Sequence, residues 1–307
     1  MATYLVTQAT GQQSQAVIAY LLAAGAKVHA VVRDPLKIPS ALEKQGITIF
    51  KGESTNFEEI FQAAQGCQGA FLNTFPVPGL EAQQAKTIVE ACKKAGIESI
   101  VAATTITVGN KAMWDDAATE EVGLREYFLS KAEVEKAVRG GNFKAYTIVR
   151  PAVLHTDLLL PGVHMNFPGL PKLGELDHAF NDGVRIFYTD VHDVGKYAAA
   201  ALEDPARFAS QEIDLGHELL TIEEVRDIIV KVSGRDVRVR RQNPEEIEEM
   251  RTAFHGMLFH LWANTKDLSP YLSVVKETQA KFGIEFTSLE MALQRDKVRL
   301  LECLPAK

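Results

Sequence analysis

The sequence predicts an α/β protein built on a doubly wound parallel sheet. Short segments rich in β-branched residues alternate with amphipathic helical segments through the first half of the 307-residue chain. Such alternation is typical of parallel strands joined by helical crossovers. After Pro151 the alternation ends, and residues 158–185 are rich in proline and glycine and predicted to be irregular. The predicted fold is therefore a parallel sheet followed by a smaller C-terminal α/β lobe.

Each element of the first half follows from residue type and from signals at its ends. Apolar β-branched runs predict strands, and Gly25 and Gly96 end the helices before them. Asn56 and Glu59 form a capping-box pattern at the start of another helix. The predicted strands are residues 3–7, 28–32, 47–51, 69–73, 99–105 and 145–150, and the predicted helices are residues 15–24, 57–64, 81–95 and 124–139.

The second half has its own signals. Thr221 and Glu224 form a second capping box, and alternating arginines and valines in residues 235–241 predict a strand with one solvated face. We expect residues 1–155 to form the sheet domain and residues 156–307 the lobe, with residues 186–215 returning to the first domain. The further predicted helices are residues 191–203, 221–233, 244–264 and 287–304, and residues 212–215 are a predicted strand.

Composition excludes several classes of function. A net charge of −7 argues against a general nucleic-acid surface, and no apolar run approaches the roughly 20 residues of a membrane span. Cys67, Cys92 and Cys303 show no metal-ligand spacing, which is typical of reduced thiols inside a cell. We expect a cytoplasmic protein without a leader peptide, whose partner is a small-molecule substrate rather than nucleic acid or a membrane. A homo-oligomer or a partner protein stays open.

The first strand–helix–strand unit has the form of a dinucleotide-binding site. Residues 9–11 form a turn, and the free N–H groups at the start of the following helix would bind a pyrophosphate. The usual fingerprint has three glycines here, where this chain has Gln8, Gly11 and Ser14. Gln8 disfavours a positive φ, whereas Ser14 is small enough to keep the helix close to the sheet. The alternative is an ordinary strand–turn–helix that binds nothing.

The end of the second strand indicates which dinucleotide would bind. An acidic residue there accepts from the 2′-hydroxyl of NAD, whereas an arginine accommodates the 2′-phosphate of NADP. The chain has Arg33, with Lys37 one helical turn further on. Asp34 precedes Pro35 and is interpreted as an N-cap rather than as the ribose acid. We therefore predict NADP(H).

The helix after the fifth strand carries candidates for catalysis. Tyr127 and Lys131 stand four apart, so their side chains share one face. A tyrosine, with a free pKa of about 10, exchanges a substrate proton only if a nearby cation stabilises its phenolate. Lys131 would supply that charge and hold the nicotinamide ribose. Thr104 and Thr105, at the end of the strand, are candidates for binding a carbonyl oxygen. The alternative for all four is a structural role.

A histidine and several acids follow the sixth strand. His155 lies near the carboxyl end of that strand and is a candidate acid–base, with a pocket wall as the alternative. Asp157, Asp190, His192 and Asp193 are metal-ligand types, but Asp190 and Asp193 are better explained as helix-start residues. No metal site is predicted.

Several segments resemble one known family by their order and spacing. They are VTQATGQQSQAV, AVVRDP, FLSKAEVEKAV, YTIVRPAVL and TDVHDVGKYAAAALEDP. On them the chain resembles the NmrA-like family of atypical short-chain dehydrogenases/reductases over about residues 3–235. The resemblance implies a Rossmann domain with a small C-terminal lobe that binds NADP(H). It also implies either reductase activity or redox sensing without turnover.

The resemblance implies site residues as well. Gly11 and Gln13 match the family's phosphate loop, Arg33 its 2′-phosphate contact and Lys131 its helix lysine. Glu53 stands where the family usually has aspartate. The predicted cofactor contacts are Thr10, Gly11, Gln12, Gln13, Arg33, Lys37, Glu53, Thr74, Lys131 and Pro151, and the predicted catalytic residues are Tyr127, Lys131, Thr105 and His155.

The predicted function is that of an NADP(H)-dependent oxidoreductase. Hydride would move between C4 of the nicotinamide and a small organic carbonyl, imine or activated alkene, with Tyr127 handling the proton. Two alternatives stay open: a non-catalytic NADP(H)-sensing regulator that binds a partner protein, and an enzyme that uses the pocket for a non-redox step. The pair Tyr127 and Lys131 favours an enzyme, and the altered glycine loop favours a sensor.

Overall fold

Two compact units make up the computed structural model, which describes residues 1–253 and 255–306. Unit 1 comprises Met1–Lys111, Glu126–Pro151 and Val191–Leu215, and unit 2 comprises Ala112–Arg125, Ala152–Asp190 and Gly216–Lys307. The strands are β1 (Thr3–Val6), β2 (Lys27–Val32), β3 (Ile47–Lys51), β4 (Gly69–Leu72), β5 (Ser99–Ala103), β6 (Ala145–Pro151), β7 (Val153–Leu154), β8 (Glu175–His178), β9 (Ile186–Thr189), β10 (Gln211–Leu215), β11 (Glu218–Leu220) and β12 (Arg238–Arg241).

The α-helices alternate with the strands in the first half of the chain and dominate its last third. They are α1 (Gln12–Ala23), α2 (Phe57–Ala64), α3 (Leu80–Ala95), α4 (Ala117–Val122), α5 (Arg125–Arg139), α6 (Val163–Asn166), α7 (Gly169–Leu173), α8 (Val191–Glu203), α9 (Ile222–Ser233), α10 (Pro244–Ala253), α11 (His255–Ala263), α12 (Tyr271–Phe282), α13 (Leu289–Arg295) and α14 (Lys297–Cys303).

Unit 1 is built on a seven-stranded sheet of order β10-β6-β5-β4-β1-β2-β3. Every adjacent pair of strands in it is parallel. The strand order reverses between β1 and β4, and ligands bind outside the carboxyl ends of strands at such a point. The predicted doubly wound fold is thereby confirmed. A ligand-binding site is expected at the carboxyl edge of the sheet next to β1.

Helices cover the sheet of unit 1. The core beside α2, α3 and α5 is aliphatic, with Ile60, Ile88 and Val134 fully buried. Elsewhere in the unit α1 packs on α8 at very short range, since a Cβ on Gly195 would lie 2.7 Å from the Tyr20 ring and 2.9 Å from the backbone of Ala16. Only glycine permits that approach of the two helices.

Unit 2 contains smaller sheets and a helical core. The strands form a three-stranded sheet, β11-β9-β7, and a two-stranded sheet, β12-β8. Its core packs Leu176, Val225 and Leu293 at zero exposure. The capping box at the start of α9 is formed reciprocally by Thr221 and Glu224, as the sequence predicts.

Several elements of the second half differ from the sequence expectation. Residues 158–185 hold α6, α7 and β8 rather than an irregular segment. The predicted helix 287–304 breaks at Asp296 into α13 and α14. The predicted helix 244–264 is α10 and α11, with residue 254 outside the described residues. The sequence patterns did not predict α12, because no side chain caps its start. Its buried residues nevertheless recur at helical spacing.

The helices and the cysteines can be compared with what the composition predicts. Within the described ranges, no helix is long and apolar enough to cross a membrane. All three cysteines are buried free thiols, and burial raises the pKa of Cys67 to about 12. A thiol with so high a pKa is protonated at neutral pH and therefore a poor nucleophile.

Candidate functional site

The loop between β1 and α1 turns through a left-handed residue at the position of its missing glycine. Gln8 has φ +49°, in the left-handed region, so the expectation that glutamine would keep the turn out of a positive φ is wrong. This conformation costs a non-glycine residue roughly 1–2 kcal/mol. Two contacts hold it, since the Gly11 N–H donates to the Gln8 carbonyl at 2.8 Å and the Gln8 amide donates to Ser54 Oγ at 3.3 Å.

The first helix begins with its N–H groups uncapped. Gly11 precedes α1 in an extended conformation, no side chain caps the helix, and its first turn holds no acidic residue. Such an end attracts an anion through its N–H groups and the helix dipole. A Cβ on Gly11 would lie 3.2 Å from the Gln8 carbonyl oxygen, so a larger residue fits only if the loop yields. Among the described residues, the buried Gln13 Oε1 has no hydrogen-bond partner.

The loop rests on a closed set of neutral hydrogen bonds. Ser14 is fully buried, donates to the Thr7 carbonyl at 2.9 Å and accepts from the Asn73 amide at 3.1 Å. Thr7 Oγ1 and Asn73 exchange two further bonds of 2.9 Å. Ser14 therefore does more than the predicted close packing, because it ties α1 to the ends of both β1 and β4.

The edge next to β2 carries exposed positive charge. Arg33 and Lys37 are both exposed, and Lys37 lies 3.4 Å from Asp34. Asp34 caps the turn that Pro35 begins by accepting from the Leu36 N–H at 3.0 Å, as predicted. The exposed position of Arg33 directly after β2 suits contact with a phosphate in solvent.

The other predicted loop contacts lie on the surface. Thr10 is exposed, and its carbonyl accepts from the Gln15 amide at 2.7 Å. Gln12 is half-buried at the first position of α1. Glu53 is exposed, and its N–H donates to Glu59 Oε2 at 2.7 Å, so Glu59 reaches Glu53 rather than closing the predicted capping box on Asn56.

A buried ion pair lies beside Tyr127. Lys131 is 7% exposed, and its Nζ lies 2.6 Å from Glu81 Oε1 and 5.5 Å from the centre of the Tyr127 ring. Burial lowers the pKa of Lys131, but Tyr127 and the Glu81 carboxylate more than offset it, so the pKa is raised. Thr74 Oγ1 donates to the same Glu81 oxygen at 2.6 Å. We call these four residues the Lys131 cluster.

The Lys131 cluster joins two predictions that the sequence made separately. Thr74 and Lys131 were predicted as independent cofactor contacts, and one carboxylate binds both. Glu81 itself was missed, because a glutamate in the first turn of a helix is usually an exposed residue near the positive end of the helix dipole. Its place in the sequence carries no sign that it is buried.

The threonines after β5 divide between two environments. Thr104 is buried and donates to Glu135 Oε1 at 2.8 Å, so its hydroxyl is not available to bind a substrate carbonyl. Thr105 is half-buried, and its Oγ1 lies 3.5 Å from the Pro151 carbonyl oxygen. That carbonyl also accepts from the Ile106 N–H at 2.9 Å. Of the two threonines, Thr105 alone retains a weakly held hydroxyl.

Glu135 forms the centre of a second buried cluster in unit 1. Arg150 donates to both of its oxygens, at 2.8 and 2.7 Å, and Arg139 donates to Oε2 at 2.6 Å. Both arginines also bind Glu212. We call Thr104, Glu135, Arg139, Arg150 and Glu212 the Arg150 cluster.

In unit 2, His155 is buried and contacts two carboxylates. It is 1% exposed, with Nδ1 3.3 Å from Asp190 Oδ1 and Nε2 2.8 Å from Asp296 Oδ2. Arg295 binds both carboxylates, at 2.5 and 3.0 Å. Both ring nitrogens therefore have carboxylate partners, and the acid–base role of His155 stays a prediction.

The remaining acids do not assemble around a metal. Across residues 1–253 and 255–306, no group of three histidine, cysteine or acidic side chains is placed to hold a metal ion. Asp193 lies in the first turn of α8 and pairs with Lys196 at 2.8 Å. Burial raises the pKa of Asp157 to about 7.

Known proteins are similar to this chain over most of its length. A model of the NmrA-like family matches residues 2–285. The NmrA-like family domain-containing oxidoreductase malD of Malbranchea aurantiaca is 27% identical over 277 residues, which cover 81% of this chain and 80% of malD.

Solved structures share the fold. The NADPH-dependent quinone oxidoreductase of Escherichia coli, complexed with NADPH, superposes with a TM-score of 0.71 at 19% identity and covers 96% of this chain and 99% of its own. NmrA, a negative transcriptional regulator, in complex with NADP, superposes with a TM-score of 0.70 at 20% identity and covers 95% of this chain and 94% of its own. The family match extends over most of the sequence, and the chain belongs to the NmrA-like family.

Proposed function

We propose that this chain is an NADP(H)-dependent oxidoreductase that acts on a small organic carbonyl, imine or activated alkene. The observation that carries the proposal is the Lys131 cluster, which holds a buried ammonium beside Tyr127 in the same unit as an uncapped helix N-terminus. A dinucleotide has a pyrophosphate for the helix end and a reactive ring for the cluster. The relatives named as an oxidoreductase and as a quinone oxidoreductase support the same reaction class.

The residues present fit such a cofactor. The α1 N–H groups from Gln12 onward and the orphaned Gln13 Oε1 suit the pyrophosphate and its neighbouring sugar hydroxyls. Arg33 and Lys37 suit a 2′-phosphate. When bound, the nicotinamide would supply or accept the hydride.

The chain's own residues would handle the proton and the charge. Tyr127 has the hydroxyl that would donate the proton, and Lys131 is the cation that favours loss of that proton. Glu81 holds Lys131 in place, and Thr74 donates to the same oxygen of Glu81. Lys131 and Glu81 are buried, so solvent screens their charges less and the electrostatic interactions of Lys131 are stronger.

The experiment that tests the enzyme proposal is Tyr127→Phe. The variant keeps the ring and removes the hydroxyl, so turnover should fall roughly 10²–10⁴-fold while dinucleotide affinity stays unchanged. Carbonyl and imine compounds are first screened for NADPH oxidation at 340 nm. Tyr146→Phe, another half-buried tyrosine of unit 1, is the matched control and should keep wild-type turnover. Wild-type turnover in Tyr127→Phe would show that the tyrosine is structural.

The cofactor preference has its own test in Arg33→Ala. Removing the guanidinium should weaken NADP(H) binding about 10- to 100-fold and leave NAD(H) binding unchanged, because only NADP carries the 2′-phosphate. Calorimetric titration of both cofactors measures this. Lys27→Ala removes an exposed charge at the opposite end of β2 and should change neither affinity. An NAD(H) preference that survives Arg33→Ala would overturn the assignment.

A sensor that binds NADP(H) without turning it over is the second candidate. Glu81 neutralises Lys131, which reduces the charge available to a phenolate on Tyr127. The structural neighbour NmrA is named as a transcriptional regulator. Cofactor-dependent binding of a partner protein, with no turnover in a broad substrate screen, would favour this candidate.

A further inference from the structure

Glu81 has one satisfied oxygen and one orphaned oxygen. The residue is 1% exposed in the first turn of α3. Its Oε1 accepts from the Thr74 hydroxyl and from the Lys131 ammonium, each at 2.6 Å. Its Oε2 is buried and has no hydrogen-bond partner among the described residues.

An orphaned carboxylate oxygen in a protein interior calls for a donor. Water donates two hydrogen bonds to such an oxygen in the unfolded chain, and losing them without replacement is costly. Native structures therefore leave few such groups, and each one needs an explanation such as strain, a catalytic role, or a water or ion that binds there. The missing partner must be a hydrogen-bond donor, such as a hydroxyl.

The neighbours of Glu81 narrow the choice of donor. Of the two residues bound to Oε1, Lys131 is proposed to hold the nicotinamide ribose, which has two free hydroxyls, and Thr74 is another predicted cofactor contact. Lys131 also leaves an electrostatic problem that a carboxylate solves. A buried ammonium by itself would repel the positively charged ring of an oxidised nicotinamide, whereas the pair of Lys131 and Glu81 is neutral.

We propose that Glu81 is a ligand-binding residue of this site. Its Oε1 fixes Lys131, its Oε2 accepts a hydrogen bond from a ribose hydroxyl of the nicotinamide nucleotide, and its charge allows the oxidised form to bind beside Lys131. This inference rests on the proposed function and adds to it a residue that sets the relative affinity for the two redox states.

The test measures the ratio of the dissociation constants of NADP⁺ and NADPH by calorimetric titration. Glu81→Gln leaves a net positive site, so NADP⁺ binding should weaken about tenfold more than NADPH binding. Lys131→Gln leaves a net negative site and should shift the ratio in the opposite direction. The double variant restores neutrality and should return the ratio close to that of the wild type. Glu90→Gln makes the same change on the exposed face of α3 and should shift nothing.

Each other outcome has a definite meaning. Equal weakening of both cofactors in Glu81→Gln would show that Glu81 only positions Lys131, and no weakening would show that ordered water satisfies Oε2; either result overturns the inference. If Glu81→Gln does not fold, the ratios in Lys131→Gln and the double variant still decide, and unchanged ratios overturn it. If the wild-type protein binds no dinucleotide, the proposed function fails and this inference with it. If the inference alone fails, the wild-type protein still binds the dinucleotide, and the ratio of the NADP⁺ and NADPH dissociation constants is the same in the variants as in the wild type.

Discussion

Glu135 and Glu81 are both buried carboxylates of unit 1, each 1% exposed, but their oxygens are partnered differently. Each oxygen of Glu135 accepts two hydrogen bonds, from Arg150 and from Thr104 or Arg139. Glu81 receives both of its bonds on one oxygen, and no described residue donates to the other. The Arg150 cluster is therefore closed, and the Lys131 cluster is open.

We interpret the difference in pairing as a difference in role: the Arg150 cluster stabilises the fold, and the Lys131 cluster is available to a ligand. A buried charge that is fully paired contributes to a unique arrangement of the elements around it, and breaking it is costly. In the Arg150 cluster these elements are α5, β6 and β10. An open cluster with an unused acceptor gives less to the fold and leaves a bond for a ligand. One helix, α5, contributes to both clusters, with Lys131 in the open cluster and Glu135 in the closed one.

The largest expected effect is that of breaking the closed cluster with Arg150→Met. Removing the guanidinium leaves Glu135 buried without its main partner, so the free energy of unfolding should fall by about 3–5 kcal/mol. Denaturant unfolding measures this. Lys144→Met breaks an exposed pair with Glu98 and should change stability by less than about 1 kcal/mol. A loss of dinucleotide binding in Arg150→Met at unchanged stability would contradict the division.

Ser14, Thr7 and Asn73 form a fully hydrogen-bonded set without charge. They test whether full pairing of buried polar groups stabilises the fold even where no ion pair is involved. Ser14→Ala removes the hydroxyl that joins the Thr7 carbonyl to the Asn73 amide, so stability should fall by about 2 kcal/mol. The exposed Ser40→Ala is the control and should have little effect. Thermal unfolding compares the two. A Ser14→Ala protein as stable as the wild type would show that neutral closure contributes nothing here.

The smallest effect concerns Asp214, whose carboxyl lies beside the Arg150 cluster. Burial raises its pKa to about 6 from 3.8, although Arg150 opposes the shift. Between these values the folded state holds a proton that the unfolded state has lost, so the contribution of Asp214 to stability falls as pH rises from about 4 to 6. Above that window the full penalty is present.

Asp214→Asn removes this penalty. The variant should be more stable than the wild type by about 1 kcal/mol at pH 7.5, and the gain should vanish near pH 4. Denaturant unfolding at both pH values measures it, with Asp204→Asn on the surface as control. A gain that is the same at both pH values would show that ionisation of Asp214 is not its cause.

Most roles that depend on near neighbours in the chain were predicted from sequence patterns, although Glu59 binds Glu53 instead of closing the predicted capping box. The strands and the helix of the βαβ unit follow from the local periodicity of each segment. The Asp34 cap and the Thr221–Glu224 capping box depend on residues within a few positions of each other. The shared face of Tyr127 and Lys131 follows from helical spacing in the same way. Long-range pairing was beyond such patterns: His155 and Asp296 are 141 residues apart, and nothing local predicts that they meet.

The parallel sheet and the alternation of strands and helices in the first half were predicted from the sequence alone, because hydrophobic periodicity and turn chemistry are local properties. Local patterns did not predict that Gln8 takes a positive φ, that Thr104 donates to Glu135, or that Thr74 and Lys131 share one oxygen of Glu81. These outcomes depend on burial. A buried polar group must find a partner wherever the fold brings one close, whatever the distance along the chain.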